Sequence, residues 1–202
     1  MKPTAATATT LEGPGIRLEP LAEGHHGALC AVGLDPELWR WTPKPVHTAA
    51  DMAAYIAVAL AERRAGRALP FAIIDKATGQ AIGSTRYGAI EPLHRRLEIG
   101  WTWFGRSWQR TGANTEAKYL LLQHAFETLG CLRVELKTDA LNERSRAAIR
   151  RIGAREEGTL RSHMITASGR IRDTVYYSIL DAEWPEIKQT LEARMGLRRK
   201  IV

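Results

Sequence analysis

Residues 97–129 constrain the fold more than any other stretch of this 202-residue chain. Leu97 to Phe104 is rich in Ile, Trp and Phe, which suits a half-buried pleated strand, and the small Gly100 interrupts a run of large side chains. Alternation along such a strand puts Glu98 and Gly100 on one face and Ile99 and Trp101 on the other. Gly105 to Asn114 then carries neither a strand nor a helix pattern. It feeds directly into Thr115 to Leu129, where Leu121, Leu122, Ala125, Phe126 and Leu129 recur at helical spacing until Gly130 closes the run. The order is strand, polar glycine-containing loop, helix. A helix entered this way presents backbone N–H groups without intrahelical partners and the positive end of its dipole, so the loop can hold a pyrophosphate. Gly112 lets the backbone approach a phosphate or take φ > 0.

The flanking sequence predicts a mixed α/β sheet. Ile16, Leu18 and Leu21 suggest a first strand, and Ala28, Leu29 and Val32 a short helix. Thr48 and Asp51 have capping-box spacing ahead of a helix running towards Gly66. Phe71–Asp75 and Gln80–Tyr87 read as a hairpin joined by residues 76–79. Downstream come a strand over Arg133–Thr138, a helix opened by Asn142 and ending near Gly153, a second hairpin of Thr159–Ile165 and Arg172–Leu180, and a helix started by Pro185. These elements fit a single domain over 14–202 after a loose Ala- and Thr-rich tail over 1–13.

Charge and cysteine content narrow the partners. Lys and Arg number 29 against 22 Asp and Glu, a net +7 that favours anionic partners such as phosphorylated cofactors. Arg198, Arg199 and Lys200 read as a solvated terminus. No zinc-finger spacing or RNA-binding aromatic motif points to specific nucleic-acid binding. Cys30 and Cys131 are far apart and lack the companions of a metal site or a disulfide framework. No signal-like or bilayer-spanning apolar run is evident, so the expectation is a cytoplasmic protein without metal or membrane partner.

The loop Trp108-Gln109-Arg110-Thr111-Gly112-Ala113-Asn114 resembles the signature of the GCN5-related N-acetyltransferase (GNAT) superfamily, with Gln109, Gly112 and Asn114 at its three defining positions. The superfamily usually has Gly or Ala where Asn114 stands, and Asn tolerates unusual backbone angles. Leu97-Glu98-Ile99-Gly100-Trp101, Thr115-Glu116-Ala117, Asn142-Glu143-Arg144-Ser145 and residues 153–158 are similar to the ribosomal-protein N-acetyltransferase-like branch. The resemblance implies a GNAT fold, a mostly antiparallel mixed sheet flanked by helices, that transfers acetyl from acetyl-coenzyme A to an amine. It implies that Trp101, Thr102, Gln109, Arg110, Thr111, Gly112, Ala113, Asn114, Asn142 and Ser145 contact the cofactor. It also implies that the strand containing Trp101 and Thr102 splays from its neighbour, freeing main-chain groups for pantetheine and the thioester.

A thioester is attacked by a neutral amine, and free amines titrate from about 8 to about 10, so proton management is needed. Glu157 matches the glutamate that the branch proposes as base, Ser145 matches its proton donor, and Glu98 is a charge within an apolar strand; water is a fourth candidate. The tyrosine many members use as acid is absent from 142–152, which puts weight on Ser145 or water. Trp39, Trp41 and Trp103 are candidates to line the amine pocket, although large aromatics also serve as core. Three alternatives stay open: a ping-pong enzyme using Cys30 or Cys131, a coenzyme A sensor without catalysis, and either a monomer or a homodimer.

Overall fold

The computed structural model describes residues 9–197. Their chain order is β1 (Leu11–Glu12), β2 (Ile16–Pro20), α1 (His26–Gly33), α2 (Ala49–Arg64), β3 (Leu69–Asp75), β4 (Ala81–Glu91), β5 (Arg96–Phe104), α3 (Ala113–Gln123), β6 (Arg133–Asp139), α4 (Glu143–Arg151), β7 (Arg155–Ile165), β8 (Ile171–Leu180) and α5 (Trp184–Arg194). The strands form one eight-stranded sheet in the order β1-β2-β3-β4-β5-β6-β8-β7. Every neighbouring pair is antiparallel except β5 and β6, whose parallel pairing requires the crossover supplied by α3.

Local chemistry explains most boundaries. Thr48 Oγ1 accepts from Asp51 N while Asp51 Oδ2 accepts from Thr48 N, a capping box that fixes the start of α2. After α3 a wider helical turn covers His124–Thr128, and Gly130 then takes φ +66°, which ends the run. The tail expectation changes: Leu11 and Glu12 pair with Leu18 and Arg17, and Glu116 accepts from the N–H groups of Gly15 and Ile16. Residues 1–8 of that tail and the basic terminus at 198–200 lie outside the described residues. β4 continues four residues past the expected Tyr87, and β7 begins at Arg155 rather than Thr159.

Two apolar cores sandwich the sheet. The larger packs α3, α4 and α5 on Phe71, Leu97, Ile99, Val134 and Tyr177. The smaller packs α1 and α2 on Ala72, Ile74 and Trp103, and contains no residue of β6, β7 or β8. Among the described residues, no helix packs a core against the face bearing Glu135, Lys137 and Tyr176. Among the described residues no helix is long and apolar enough to cross a membrane.

The expected alternation along β5 fails at one point. Gly100 pairs with Arg86 and Trp103 with Ser84, leaving Trp101 and Thr102 together opposite Thr85, and Trp101 has φ +50°. This β-bulge resets the parity of the strand. Ile99 lies in the larger core, whereas the Trp101 ring swings over Gly88 and Arg86 and is half exposed.

Candidate active site

β5 and β6 pair at only three positions, ending with Glu98 opposite Glu135. Beyond that row the strands part, because the bulge turns β5 away while β6 continues to pair with β8 up to Asp139. The main chain of Trp101 and Thr102 thus lacks a partner strand on the side facing the gap.

The loop before α3 lies beside this opening. The N-cap of α3 is Gly112, which has no side chain to offer; Thr111 Oγ1 instead accepts from Ala113 N at 3.2 Å and donates to the Trp108 carbonyl at 2.8 Å. The left-handed residue of the loop is Arg110, with φ +64°, and not Gly112, which has an ordinary φ of −67°. A Cβ on Gly112 would meet nothing within 4 Å, so the glycine leaves open space rather than relieving strain. A cleft of about 480 Å³ borders the loop, lined by Arg106, Gln109, Arg110, Asn142, Arg144 and Trp41 among others. Arg144 donates to Gln109 Oε1 at 2.8 Å, joining α4 to the loop. Asn142 acts as the N-cap of α4, its Oδ1 accepting from Ser145 N at 3.1 Å. Four guanidinium groups line the cleft against two carboxylates, Arg106 pairing with Asp35 and Arg40 with Glu37, and this excess of positive charge beside a helix N-terminus suits a phosphorylated ligand.

The acid–base candidates separate spatially. Glu98 is buried at the last paired row, its carboxylate 2.8 Å from Lys137 Nζ and folded back over Gly100. Glu157 stands three strands away in the sheet order, at a bulge between Glu156 and Gly158. Arg133 donates to both of its oxygens and Ser178 Oγ donates to one at 2.7 Å. The bonds from Arg133 dominate and hold its carboxyl below the usual range, although burial opposes them. Ser145 is partly buried in the first turn of α4, and it is not among the residues lining the cleft, as Asn142 and Arg144 are. Trp39 and Trp103 are packed into the smaller core, their ring centroids 5.3 Å apart; of the three tryptophans proposed for the amine pocket, only Trp41 lines the cleft. Arg172 Nη1 donates to the Trp41 carbonyl, fastening that loop to β8.

Two charged residues missed by the sequence reading stand out. Lys118 on α3 is buried, and its Nζ donates to Thr102 Oγ1 at 2.8 Å. Burial pulls this amine down to about 7, against the raising influence of Glu98. Its signal in the sequence was a lysine three and four residues ahead of Leu121 and Leu122, within the apolar stripe. Arg86, the second, is buried in the middle of β4. The cysteines give little support to nucleophilic catalysis. Burial pushes the Cys131 thiol up to about 11. Cys30 Sγ is 3.5 Å from His26 Nε2, but that nitrogen also lies 2.8 Å from the Ala49 carbonyl. A carbonyl only accepts, so Nε2 carries the proton and is not a free base for the thiol.

The chain is similar to known proteins in both sequence and fold. Residues 16–155 match the family model described as an acetyltransferase (GNAT) domain. The Bacillus subtilis protein YdaF, a ribosomal N-acetyltransferase by name, is 36% identical over 106 residues; the match covers 52% of this chain and 57%, or just over half, of that protein. A GCN5-related N-acetyltransferase from Brucella melitensis superposes with a TM-score of 0.88 at 34% identity, covering 96% of this chain and 88% of that one. RimJ from Mycobacterium smegmatis, solved in complex with a coenzyme A disulfide, gives a TM-score of 0.79 at 27% identity over 97% and 98% of the two chains.

Proposed function

Because the chain belongs to the GNAT acetyltransferase family, we propose that it moves the acetyl group of acetyl-coenzyme A to an amine, by direct attack in a ternary complex. The observation that carries this reading is the parting of β5 from β6 beyond Glu98, next to an α3 N-terminus whose N-cap is Gly112. In this reading the pyrophosphate rests on the loop amides between Arg110 and Gly112, those of Gln109 and Ala113 being already bonded within the loop, with Arg106, Arg110 and Arg144 at its flank. Pantetheine runs along the freed edge of β5, and main-chain N–H groups at Trp101 and Thr102 receive the negative charge that develops on the thioester oxygen.

The amine approaches from the uncovered face of β6 and β8. Glu98, although paired with Lys137, takes the amine's proton directly or through water because it stands at the point where the strands part; Glu157 is farther off and is held by both Arg133 and Ser178. Ser145 donates a hydrogen bond to the departing sulfur, and the thiolate takes its proton from water. A protein N-terminus and a small-molecule amine are both acceptors of the required chemistry. The thiols offer no support for a ping-pong route, since Cys131 is buried and His26 already donates to a carbonyl.

The test is an acetyl-coenzyme A turnover screen across small amines and peptide N-termini, followed by initial-rate patterns. Intersecting lines are expected. Parallel lines with an acetylated cysteine would overturn direct attack, and cofactor binding without turnover of any amine would favour a sensor.

A further inference from the structure

Arg86 is 4% exposed, its Nε has no hydrogen-bonding partner, and it forms no ion pair among the described residues. A buried guanidinium without a carboxylate is unusual, since the charge has lost its water and gained no counterion. What it does have is aromatic: its Cζ lies 5.2 Å from the centroid of the Tyr55 ring and 4.9 Å from that of Trp101. These rings steady the group but supply no hydrogen-bond acceptor in its plane.

Arg86 lines a separate cavity of about 190 Å³ with Gly88, Trp101, Glu62, Arg67 and Glu91. Glu62 is near enough to feel Arg86, but both of its oxygens are committed to Arg67, at 2.8 and 2.7 Å. Gly88, in the wall of the cavity, pairs directly with Glu98, and Arg86 pairs with Gly100. The cavity thus opens one strand away from the site assigned above to the amine. Trp101 belongs to both: its main chain forms the bulge at the gap and its ring covers Arg86.

We propose that this cavity binds a carboxylate carried by the acceptor, with Arg86 as its counterion and the Trp101 ring as its wall. A planar, fixed guanidinium presents in-plane N–H donors that match the two oxygens of a carboxylate. The acceptor class is then an amine bearing a carboxylate a few bonds away. This rests on the acetyl-transfer reading for the position of the amine, whereas anion binding at Arg86 can be measured without turnover.

Tryptophan fluorescence is titrated with sodium propionate in wild type, Arg86→Met and Arg86→Lys, in parallel with acetyl transfer to β-alanine, phosphoethanolamine and n-propylamine. A saturable response in wild type, lost in Arg86→Met and weakened in Arg86→Lys, is expected. Propionate should compete with the amine and not with acetyl-coenzyme A. In wild type, kcat/KM should favour β-alanine over n-propylamine at least tenfold, and Arg86→Met should reduce that ratio at least tenfold. Arg86→Met should melt no lower than wild type, since it removes an unpaired buried charge. No saturable response in wild type, or an equal one in Arg86→Met, overturns the site; propionate binding that leaves the amine KM unchanged overturns its assignment to the acceptor; preference for phosphoethanolamine over β-alanine overturns the carboxylate. If no amine is acetylated, the catalytic reading falls, while the titration still decides whether Arg86 holds an anion.

Discussion

Lys118 Nζ donates to Thr102 Oγ1 across 2.8 Å, tying a buried amine on α3 to the strand edge where β5 leaves β6. Thr102 Oγ1 also lies 2.8 Å from Thr85 Oγ1, so the bulged residue is held from both sides. The arrangement makes Lys118 a positioning residue for the main chain that the proposed mechanism uses.

Its protonation should be visible in stability. The folded value of about 7 lies below that of an unfolded lysine, so between pH 7 and about 10 the unfolded chain binds more protons, and stability gained from this group rises with pH. Relative to wild type, Lys118→Met is expected to be most advantaged near and below pH 7 in urea melts, with the advantage shrinking as pH approaches 10. An advantage independent of pH would mean that Lys118 titrates normally. The same variant should lower kcat by roughly tenfold through loss of main-chain positioning, with a smaller change in KM for acetyl-coenzyme A.

Glu98→Gln keeps size and removes basicity. It should lower kcat/KM by roughly 10²- to 10⁴-fold at neutral pH, the usual contribution of a positioned base, with partial recovery as rising pH deprotonates the free amine. Glu157→Gln should stay within about twofold of wild type, since a carboxylate held by Arg133 and Ser178 is a weakened base. The reverse ranking in pH–rate profiles would return the role to Glu157.

The bond to Arg133 has its own pH signature. A carboxyl with a lowered folded value stabilises the fold above its unfolded value and loses that contribution as pH falls through the folded one. The stability difference between wild type and Glu157→Gln should therefore be present in full at pH 6 and shrink as pH falls below about 4. It should be small, because the pair is partly exposed and screened by water. Chemical denaturation at the two pH values checks this.

Gly112→Val tests the phosphate loop. With φ −67° and open space around its Cβ position, the variant should fold and melt like wild type, while the added methyls occupy the surface assigned to the pyrophosphate. Coenzyme A affinity is expected to fall by roughly tenfold or more in calorimetry, as backbone amides lose contact with the anion. Full affinity in a folded variant would move the pyrophosphate elsewhere.

Asn142 carries both a structural and a proposed binding role. Losing its bond to Ser145 N in Asn142→Ala should cost about 0.5 to 2 kcal/mol of stability, as for other N-caps. Thermal melts measure that loss separately from any change in KM.

What the linear order determined was everything local. The capping box at Thr48 and Asp51, the hairpin between Asp75 and Ala81, the apolar stripe of α3 and its stop at Gly130 all depend on neighbours a few residues apart. Their periodicity and turn chemistry could therefore be read directly, and the 109–114 motif carried the family with them. Only the tertiary structure decided where the charges went. The bulge at Trp101 and Thr102 arises because two residues of β5 face one of β4, a pairing that no alternation pattern within β5 reveals. That bulge turned Trp101 from the face expected for it, parted β5 from β6 beyond Glu98, and laid an aromatic ring over Arg86. Glu157, singled out by the family motif, and Glu98, a charge in an apolar strand, were both candidate bases, but Arg133 comes from 24 positions away to engage the first, and Lys137 from 39 positions away to engage the second. Basicity depends on such partners and on burial, which exist only once the sheet has brought distant strands together.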